Sequence, residues 1–378
     1  MIEVSCSQKK HLNRQNILSL IFPKLLEMST TAIIVNYHTS SFLPPLLEVL
    51  NTEPEISEII VADNSAELGL TEVVKGFSKV QLMVFSQNIG FAAAVNRAAE
   101  NCDSNWYLII NPDTMPEPGF VEKLLRGAQK MDALIAGPRF FWDNEKKYKL
   151  PPALGNSWWM QAGMEAANNF KLDAKLLGFY WDLRFDRYWK EAGPFYEPFL
   201  SGACLLIKND KTFFRNGKIF DERFFLYYED TDLCVKAMMN DLIMVCVPDA
   251  HVVHYWNQSP SQQKGRFMTE SHDRFWQKYY PGMSYTIVIG KGFKESFTDF
   301  GAVNHSPRFE IDSRQNSGIL SFEIGVNPAF VPYAQTDVQS SLFEIPPAVW
   351  HAMAPGLYFG RIRNSLNETI TRWKWKKQ

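Results

Sequence analysis

Three clusters of polar residues stand out by type and spacing. Asn111-Pro112-Asp113-Thr114 follows the apolar run Trp106 to Ile110 and leaves a carboxylate just past its end. Leu226-Tyr227-Tyr228-Glu229-Asp230-Thr231-Asp232 gathers three carboxylates at the start of a helical stretch. His251-Val252-Val253-His254 follows a further apolar run. A hard divalent cation bound to a diphosphate takes carboxylate and imidazole ligands and leaves positions open for phosphate oxygens. An attacking hydroxyl needs a nearby carboxylate as general base. Each piece alone has a plainer explanation. Asp113 after a proline can simply shape a turn. Acids at a helix start complement its dipole, and His251 and His254 lack the i, i+4 spacing of a helical zinc pair. The combination carries the weight.

These residues need strand ends to sit on, and the chain provides them. Ala32 to Asn36, Ile59 to Ala62, Gln81 to Phe85 and Trp106 to Ile110 read as short apolar strands. Helical stretches at Phe42 to Leu50 and Gly90 to Glu100 separate them. Continuous apolar strands spaced by helices predict a mostly parallel sheet covered on both faces, an α/β fold. Ligands in such sheets sit at the carboxyl ends of the strands, which directs attention to Asn36, Asp63, Asn88 and Asn111 to Asp113. Phe199 to Ile207 and Ile243 to Val247 read as later strands, and Asp230 to Asn240 and Gln262 to Lys278 as helices. The first strand–helix turn, Asn36-Tyr37-His38-Thr39-Ser40-Ser41, holds no glycine, so the dinucleotide fingerprint and the Walker loop are both absent.

Residues 138–198 break the rhythm, being rich in Trp, Phe, Tyr and Pro without a clear period. They read either as a lid over a site or as a satellite hydrophobic cluster. After Pro281-Gly282, short β-like runs (Tyr285 to Ile289, Leu320 to Val326, Leu357 to Ile362) separated by Pro, Gly and Asn predict a separate β domain. The expected division is 1–29 as an N-terminal appendage, 30–282 as the α/β domain and 283–378 as a β-rich accessory domain. The final Arg372-Trp373-Lys374-Trp375-Lys376-Lys377 alternates aromatic and basic residues. That pattern suits either an anionic membrane interface or a solvated tail.

The 378 residues are 46% hydrophobic and 21% charged, an ordinary globular composition. Lys and Arg number 39 against 41 Asp and Glu, a net charge of −2 that argues against a nucleic-acid-wrapping protein. Five scattered cysteines without a Cys-x-x-Cys pair read as reduced thiols of a cytoplasmic protein. The longest N-terminal apolar run, Ile17 to Leu26, is too short to span a bilayer and lacks a small-residue cleavage site.

At this point the chain resembles the inverting family 2 glycosyltransferases of GT-A fold, in their rhamnosyltransferase-like branch. The matching pieces are AIIVNY from Ala32, VADNS from Val61, QNIGFAAAVN from Gln87 and LIINPDT from Leu108. FLSGACLLI from Phe199, FDERFFLYYEDTDLC from Phe220 and PDAHVVHYWNQS from Pro248 follow in order. The resemblance spans roughly residues 30–280 and leaves out the N-terminal appendage, the aromatic insertion and the C-terminal domain.

The resemblance implies roles residue by residue. Val35, Asn36, Tyr37 and Asp63 would line the nucleobase pocket, with Asn88 and Gly90 beside the ribose and sugar. Asn111 and Asp113 would occupy the Asp-x-Asp motif, with neutral Asn111 in place of its first acid and Asp113 as its metal-binding last acid. Asp230 would be the catalytic base, with Gly202, Glu229 and Asp232 in the vicinity of base and acceptor. His254 would close a Mg²⁺ or Mn²⁺ site with Asp113. Tyr37-His38 stands where Tyr-Asn is usual. The implied partners are a nucleoside-diphosphate sugar of dTDP-rhamnose or UDP-hexose type and a glycan acceptor, often lipid-linked. The implied place is the cytoplasm or the inner face of the membrane. Two rivals remain: a non-catalytic sugar-nucleotide or glycan-binding protein on the same fold, and a nucleotidyltransferase. The latter normally carries a Gly-rich basic loop after its first strand, and this chain does not.

Overall fold

The computed structural model describes residues 29–378 except 101, 170, 215, 256–262, 283–295 and 312–318. The N-terminal appendage up to residue 28, Trp256 to Ser259 of the last motif, the Tyr285 to Ile289 run and the start of the accessory domain at 283 lie outside the described residues.

The first half runs β1 (Thr30–Asn36), α1 (Leu43–Thr52), β2 (Ile56–Asp63), α2 (Leu70–Val74), β3 (Val80–Val84), α3 (Phe91–Ala99) and β4 (Trp106–Ile110). It continues with β5 (Thr114–Pro116), α4 (Phe120–Lys130), β6 (Ile135–Phe141), α5 (Trp158–Asn169), α6 (Lys171–Lys190) and β7 (Phe195–Tyr196). β8 (Cys204–Lys208), α7 (Glu229–Met239), β9 (Met244–His254) and α8 (Lys264–Tyr279) complete the domain. The strands form one sheet in the order β3-β2-β1-β4-β8-β6-β9-β5, with β7 against β9. Alternate residues of β1 explain its unbroken apolar run. Ala32 and Ile34 pack with Leu43, Leu46, Leu47 and Leu50 of α1, whereas Ile33 and Val35 pack with Ala92, Val95 and Ala98 of α3.

The sheet is mostly parallel, as expected: β1, β2, β3, β4, β6 and β9 run one way, and β8, β5 and β7 run against them. β8 pairs with both β4 and β6, and β5 and β7 pair with β9. A strand buried on both faces is apolar whichever way it runs, so composition could not report its direction. Phe199 to Ala203 is loop, and the strand begins only at Cys204.

The aromatic insertion contains two helices, α5 and α6, and serves as a satellite cluster. Met160, Trp181 and Phe185 pack with Phe330, Val331, Tyr333 and Phe359 of the C-terminal region. That region holds β10 (Thr298–Val303), β11 (Arg308–Glu310), β12 (Leu320–Gly325), β13 (Tyr333–Val338) and β14 (Leu342–Glu344). A short helix α9 (Pro347–Ala352) precedes β15 (Gly356–Arg363) and β16 (Thr369–Lys377). It builds its own sheet, β10-β16-β15-β12-β13, and a β11-β14 ladder. Polar contacts tie it to the insertion. Asp182 of α6 accepts from Arg363 at 2.7 Å and from the Tyr333 hydroxyl at 3.1 Å. Arg361 and Arg363 also hold Glu323, which is wholly buried. Burying three charges in this way is tolerable only while each has its partner.

The C-terminal Trp/Lys alternation is corrected by the fold. It is neither a membrane anchor nor a solvated tail but β16, flanked by β10 and β15. Period two is the signature of a strand with one buried face. Trp373 and Trp375 point inward against Phe309, and Trp375 is 1% exposed. Trp375→Ala should therefore cost about 3–5 kcal/mol in denaturant unfolding. A loss below about 1 kcal/mol would contradict the assignment of this face to the core.

Candidate active site

Asn36 and Asp63 end neighbouring parallel strands in direct register. Both are buried, and Asn36 Nδ2 donates to Asp63 Oδ1 at 3.1 Å. Asp63 Oδ1 also accepts from the Ser65 amide and hydroxyl, and its Oδ2 from the Glu67 amide at 2.9 Å. Asn36 Oδ1 accepts from the Thr39 amide and hydroxyl and so shapes the first turn without a glycine. Val35 lies at the same strand end and Tyr37 just beyond it, its ring edge against His38 at 4.7 Å.

A second residue of that motif, Asn64, joins this corner to the next loop. Its Nδ2 donates to the Gly90 carbonyl and its Oδ1 accepts from the Ile89 amide, each at 3.0 Å. Asn88 Oδ1 accepts from the Gly90 amide. Gly90 has φ +89° and no room for a side chain, since a Cβ would lie 2.7 Å from the Phe225 carbonyl. The Phe91 amide donates to that carbonyl at 2.8 Å, which brings the Gly90 loop onto the segment leading into α7.

Tyr227 and Tyr228 both adopt left-handed backbone, at φ 68° and 70°, and turn the chain sharply into α7. Asp230, in the first turn, receives three hydrogen bonds. The Gly202 amide donates to Oδ2 at 2.8 Å, and the Thr231 amide and hydroxyl donate to Oδ1 at 2.6 and 3.3 Å. Gly202 permits this approach because a Cβ there would sit 3.1 Å from that of Asp230. Burial pushes the Asp230 carboxyl above the ordinary aspartate range, and these donors oppose the rise. Glu229 is pushed much further, by burial first and then by the Asp230 charge, and its Oε2 has no hydrogen-bond partner among the described residues. Of the two acids, Glu229 is held further toward the neutral form, and Asp230, with its donors, is the one better fitted to ionise.

Asp232 is fully buried and engages Lys278 and Lys236 together with the Tyr279 hydroxyl, and so locks α7 to α8. It stands in the same first turn as Asp230, with its carboxylate committed to those partners.

Asp113 and His254 meet across the β5–β9 ladder, where Thr114 pairs with His254. His254 Nε2 lies 3.6 Å from Asp113 Oδ1, and the Tyr255 amide donates to the Asp113 carbonyl. The Asn111 amide donates to the Ala203 carbonyl, next to Gly202, which brings this turn alongside the Asp230 pocket. Tyr227 spans the remaining gap: burial pushes its phenol up, and the charges of Glu229 and Asp113 add to the rise. Lys264, at the start of α8, also lies within electrostatic reach of Asp113. Nothing in the sequence singles out Asn64, Tyr227 or Lys264. Asn64 lies inside a matching motif, and the paired left-handed tyrosines have no local signature.

Asp113 and His254 supply one carboxylate and one imidazole, and no third His, Cys, Asp or Glu joins them among the described residues. Two hard ligands with open positions fit a Mg²⁺ or Mn²⁺ bound together with phosphate oxygens. His251 points elsewhere, 3.3 Å from Glu117.

Carboxylates gathered at the carboxyl ends of an α/β sheet, beside the Asp113–His254 pair, fit a nucleotide-diphospho-sugar transferase of GT-A fold. Residues 31–187 match the family model described as glycosyl transferase family 2. Over that stretch the chain is similar to the family 2 glycosyltransferases. It is 29% identical over 255 residues to N-acetylglucosaminyl-diphospho-decaprenol L-rhamnosyltransferase of Mycobacterium tuberculosis, covering 62% of this chain and 77% of that protein. It is 24% identical over 232 residues to rhamnosyltransferase WbbL of Escherichia coli, covering 59% of this chain and 82% of that one. A mannosyltransferase from Pyrobaculum calidifontis, solved with GDP-Man and Mn²⁺, is similar with TM-score 0.43 and 12% identity. That likeness covers 66% of this chain and 64% of the mannosyltransferase chain.

The two acids of the pocket should separate in mutagenesis. Asp230→Asn should lower transfer at least a hundredfold while nucleotide binding persists. Glu229→Gln, which copies the protonated form, should keep most activity. The acid limb of the rate profile should lie above the ordinary aspartate value of about 3.9, because the base must be ionised and burial raises its pKa. Retained turnover in Asp230→Asn would remove it as base.

Proposed function

We propose that this chain is an inverting rhamnosyltransferase-like hexosyltransferase. It moves a sugar from a nucleoside diphosphate, of dTDP-rhamnose or UDP-hexose type, to a hydroxyl of a lipid-linked glycan in cell-surface polysaccharide synthesis. The observation that carries the reading is the Asp230 pocket, a half-buried carboxylate fed by three donors and joined through Asn111 to the Asp113–His254 turn. The names of the two relatives support the rhamnosyl donor, and the M. tuberculosis relative's name supports an acceptor carrying a lipid diphosphate. Presence of both Asp113 and Asp230 favours catalysis over a sugar-binding role.

In this mechanism Asp63, Asn36, Tyr37 and the Val35 backbone receive the nucleobase end of the donor, and Asn88 and Gly90 border the ribose and sugar. Asp113 and His254 would hold the divalent cation, which when bound supplies positive charge against the departing diphosphate. Asp230 takes the proton of the acceptor hydroxyl as that oxygen attacks the anomeric carbon from the opposite face, so configuration inverts. Aspartate is a weak base for an alcohol, and proton transfer comes late, as the new C–O bond forms. Glu229 behind it is held toward its neutral form by burial, which limits the competing negative charge.

A panel of nucleotide sugars scored for nucleoside diphosphate release tests the reading. Release of diphosphate with one donor, its loss in EDTA, and restoration by Mn²⁺ are expected. Asp113→Ala should abolish the mutual tightening of Mn²⁺ and nucleoside diphosphate in calorimetry. Pyrophosphate release, or binding without turnover for every donor, would refute transfer. Full activity in EDTA would remove the cation.

A lipid-linked acceptor requires work at a bilayer surface, on the cytoplasmic side in this reading. Among the described residues no helix is long and apolar enough to cross a membrane. The outer face of α6 instead exposes Leu176, Phe179, Tyr180 and Leu183, at i, i+3, i+4 and i+7, with Lys175 and Arg187 at its ends. Phe179→Glu with Leu183→Glu should reduce co-sedimentation with anionic vesicles at least fivefold while unfolding is unchanged. Undiminished sedimentation would exclude this face.

A further inference from the structure

A cavity of about 390 Å³ opens where the transferase domain meets the C-terminal β domain. Its size falls at the lower end of ligand pockets, about 300–1,000 Å³. Tyr227 and Lys264 stand on the transferase side, and these are the two residues that also lie within electrostatic reach of Asp113. The rest of its wall is apolar.

The lining mixes large side chains, Trp142, Tyr227, Tyr333 and Tyr358, with small ones. The small ones are Gly265, Ala334, Ala352 and Ala354. The adjoining cluster, by contrast, is filled by Trp181, Phe185, Phe330 and Phe359. Tyr333 belongs to both, so a filled core and an unfilled cavity share one wall. Interiors normally close such space, because voids forfeit contacts and cost stability. Met268 and Val326, also in the lining, are 49% and 61% exposed, so the apolar surface extends to the solvent. An apolar cavity with a lysine where it nears the cation turn suits an apolar chain ending in an anion.

We propose that this cavity seats the first isoprenoid units of a polyprenyl-diphosphate-linked acceptor, with Lys264 facing the diphosphate and Tyr227 at the passage toward Asp230. This rests on the transferase reading and names the part of the molecule that holds the acceptor's lipid. Nine of the fifteen lining residues come from the C-terminal region, outside the matched family region, so the site belongs to this chain's own architecture.

Farnesyl diphosphate, inorganic pyrophosphate and farnesol, each titrated into the full chain by calorimetry, test it. Farnesyl diphosphate should bind at least tenfold more tightly than pyrophosphate. Ala354→Trp, which fills the cavity, and Met268→Glu, which charges its rim, should each weaken farnesyl diphosphate at least tenfold. Nucleoside diphosphate affinity should stay unchanged in both, which also reports that each variant is folded. Lys264→Met should erase the advantage of farnesyl diphosphate over farnesol. Equal affinity for pyrophosphate and farnesyl diphosphate, or wild-type farnesyl diphosphate binding in both cavity variants, would overturn the proposal. Nucleotide-sugar turnover in a protein that ignores farnesyl diphosphate would sink this inference and leave the transferase reading standing.

Discussion

A carboxylate that must be ionised inside protein has to be given donors, because burial favours its neutral form. Asp230 meets that constraint with the Gly202 amide and the amide and hydroxyl of Thr231. Much of the local structure follows from it. A side chain at residue 202 would crowd Asp230, and the loop before β8 must lie against the start of α7. The chain must also enter α7 abruptly enough to place Asp230 in the first turn, which Tyr227 and Tyr228 accomplish through left-handed backbone. Such backbone is costly for non-glycine residues and persists where surrounding packing determines it. Here the Tyr228 ring lies against Phe275 and His272 of α8. Asp232 reinforces the same junction through Lys278 and Tyr279. The third acid of the motif thus secures the helix that carries the first two.

The aromatic insertion and the C-terminal sheet are one structural device. α6 presents Trp181 and Phe185 to Phe330, Tyr333 and Phe359, and Asp182 on the same side meets Arg363. Removing either of these surfaces would leave the other with exposed aromatics and an unpaired buried charge. Arg139 secures the opposite edge: from β6 it donates to the Tyr188 and Glu191 carbonyls at the end of α6. The accessory sheet is therefore held at a set position relative to the transferase domain, and the cavity between them follows from that placement.

What was legible in the sequence tracks how one-sided each element is. The β1–β4 half could be read because its strands are short, apolar and separated by helices, with polar residues just past their ends. α6 could not, because both its faces are apolar. Trp181, Phe185 and Tyr188 face inward, while Leu176, Phe179, Tyr180 and Leu183 face outward, so no period emerges. The Trp/Lys alternation of β16 was visible, yet period two alone does not say whether the aromatic face meets protein or lipid. Only its two neighbouring strands decide that. Candidate site residues are legible where they close a strand, whereas the partners of Asp232 come from a distant helix and leave no local sign.

The neutral Asn111 fits the charge arrangement of the site. Asp113, Glu229 and Asp230 already concentrate acidic groups around Tyr227, whose phenol responds to two of them. A further carboxylate at 111 would add like charge and push Glu229 and Asp230 further toward protonation, which a general base cannot afford. Asn111 meanwhile keeps its structural duties through its main chain: its amide donates to Ala203, and its carbonyl accepts from Thr114 at 2.6 Å. The turn thus keeps its shape without a charge at that position. Under the proposed metal-dependent mechanism, the cation's remaining negative ligands would come from the donor's own diphosphate, coupling metal binding to the arrival of substrate.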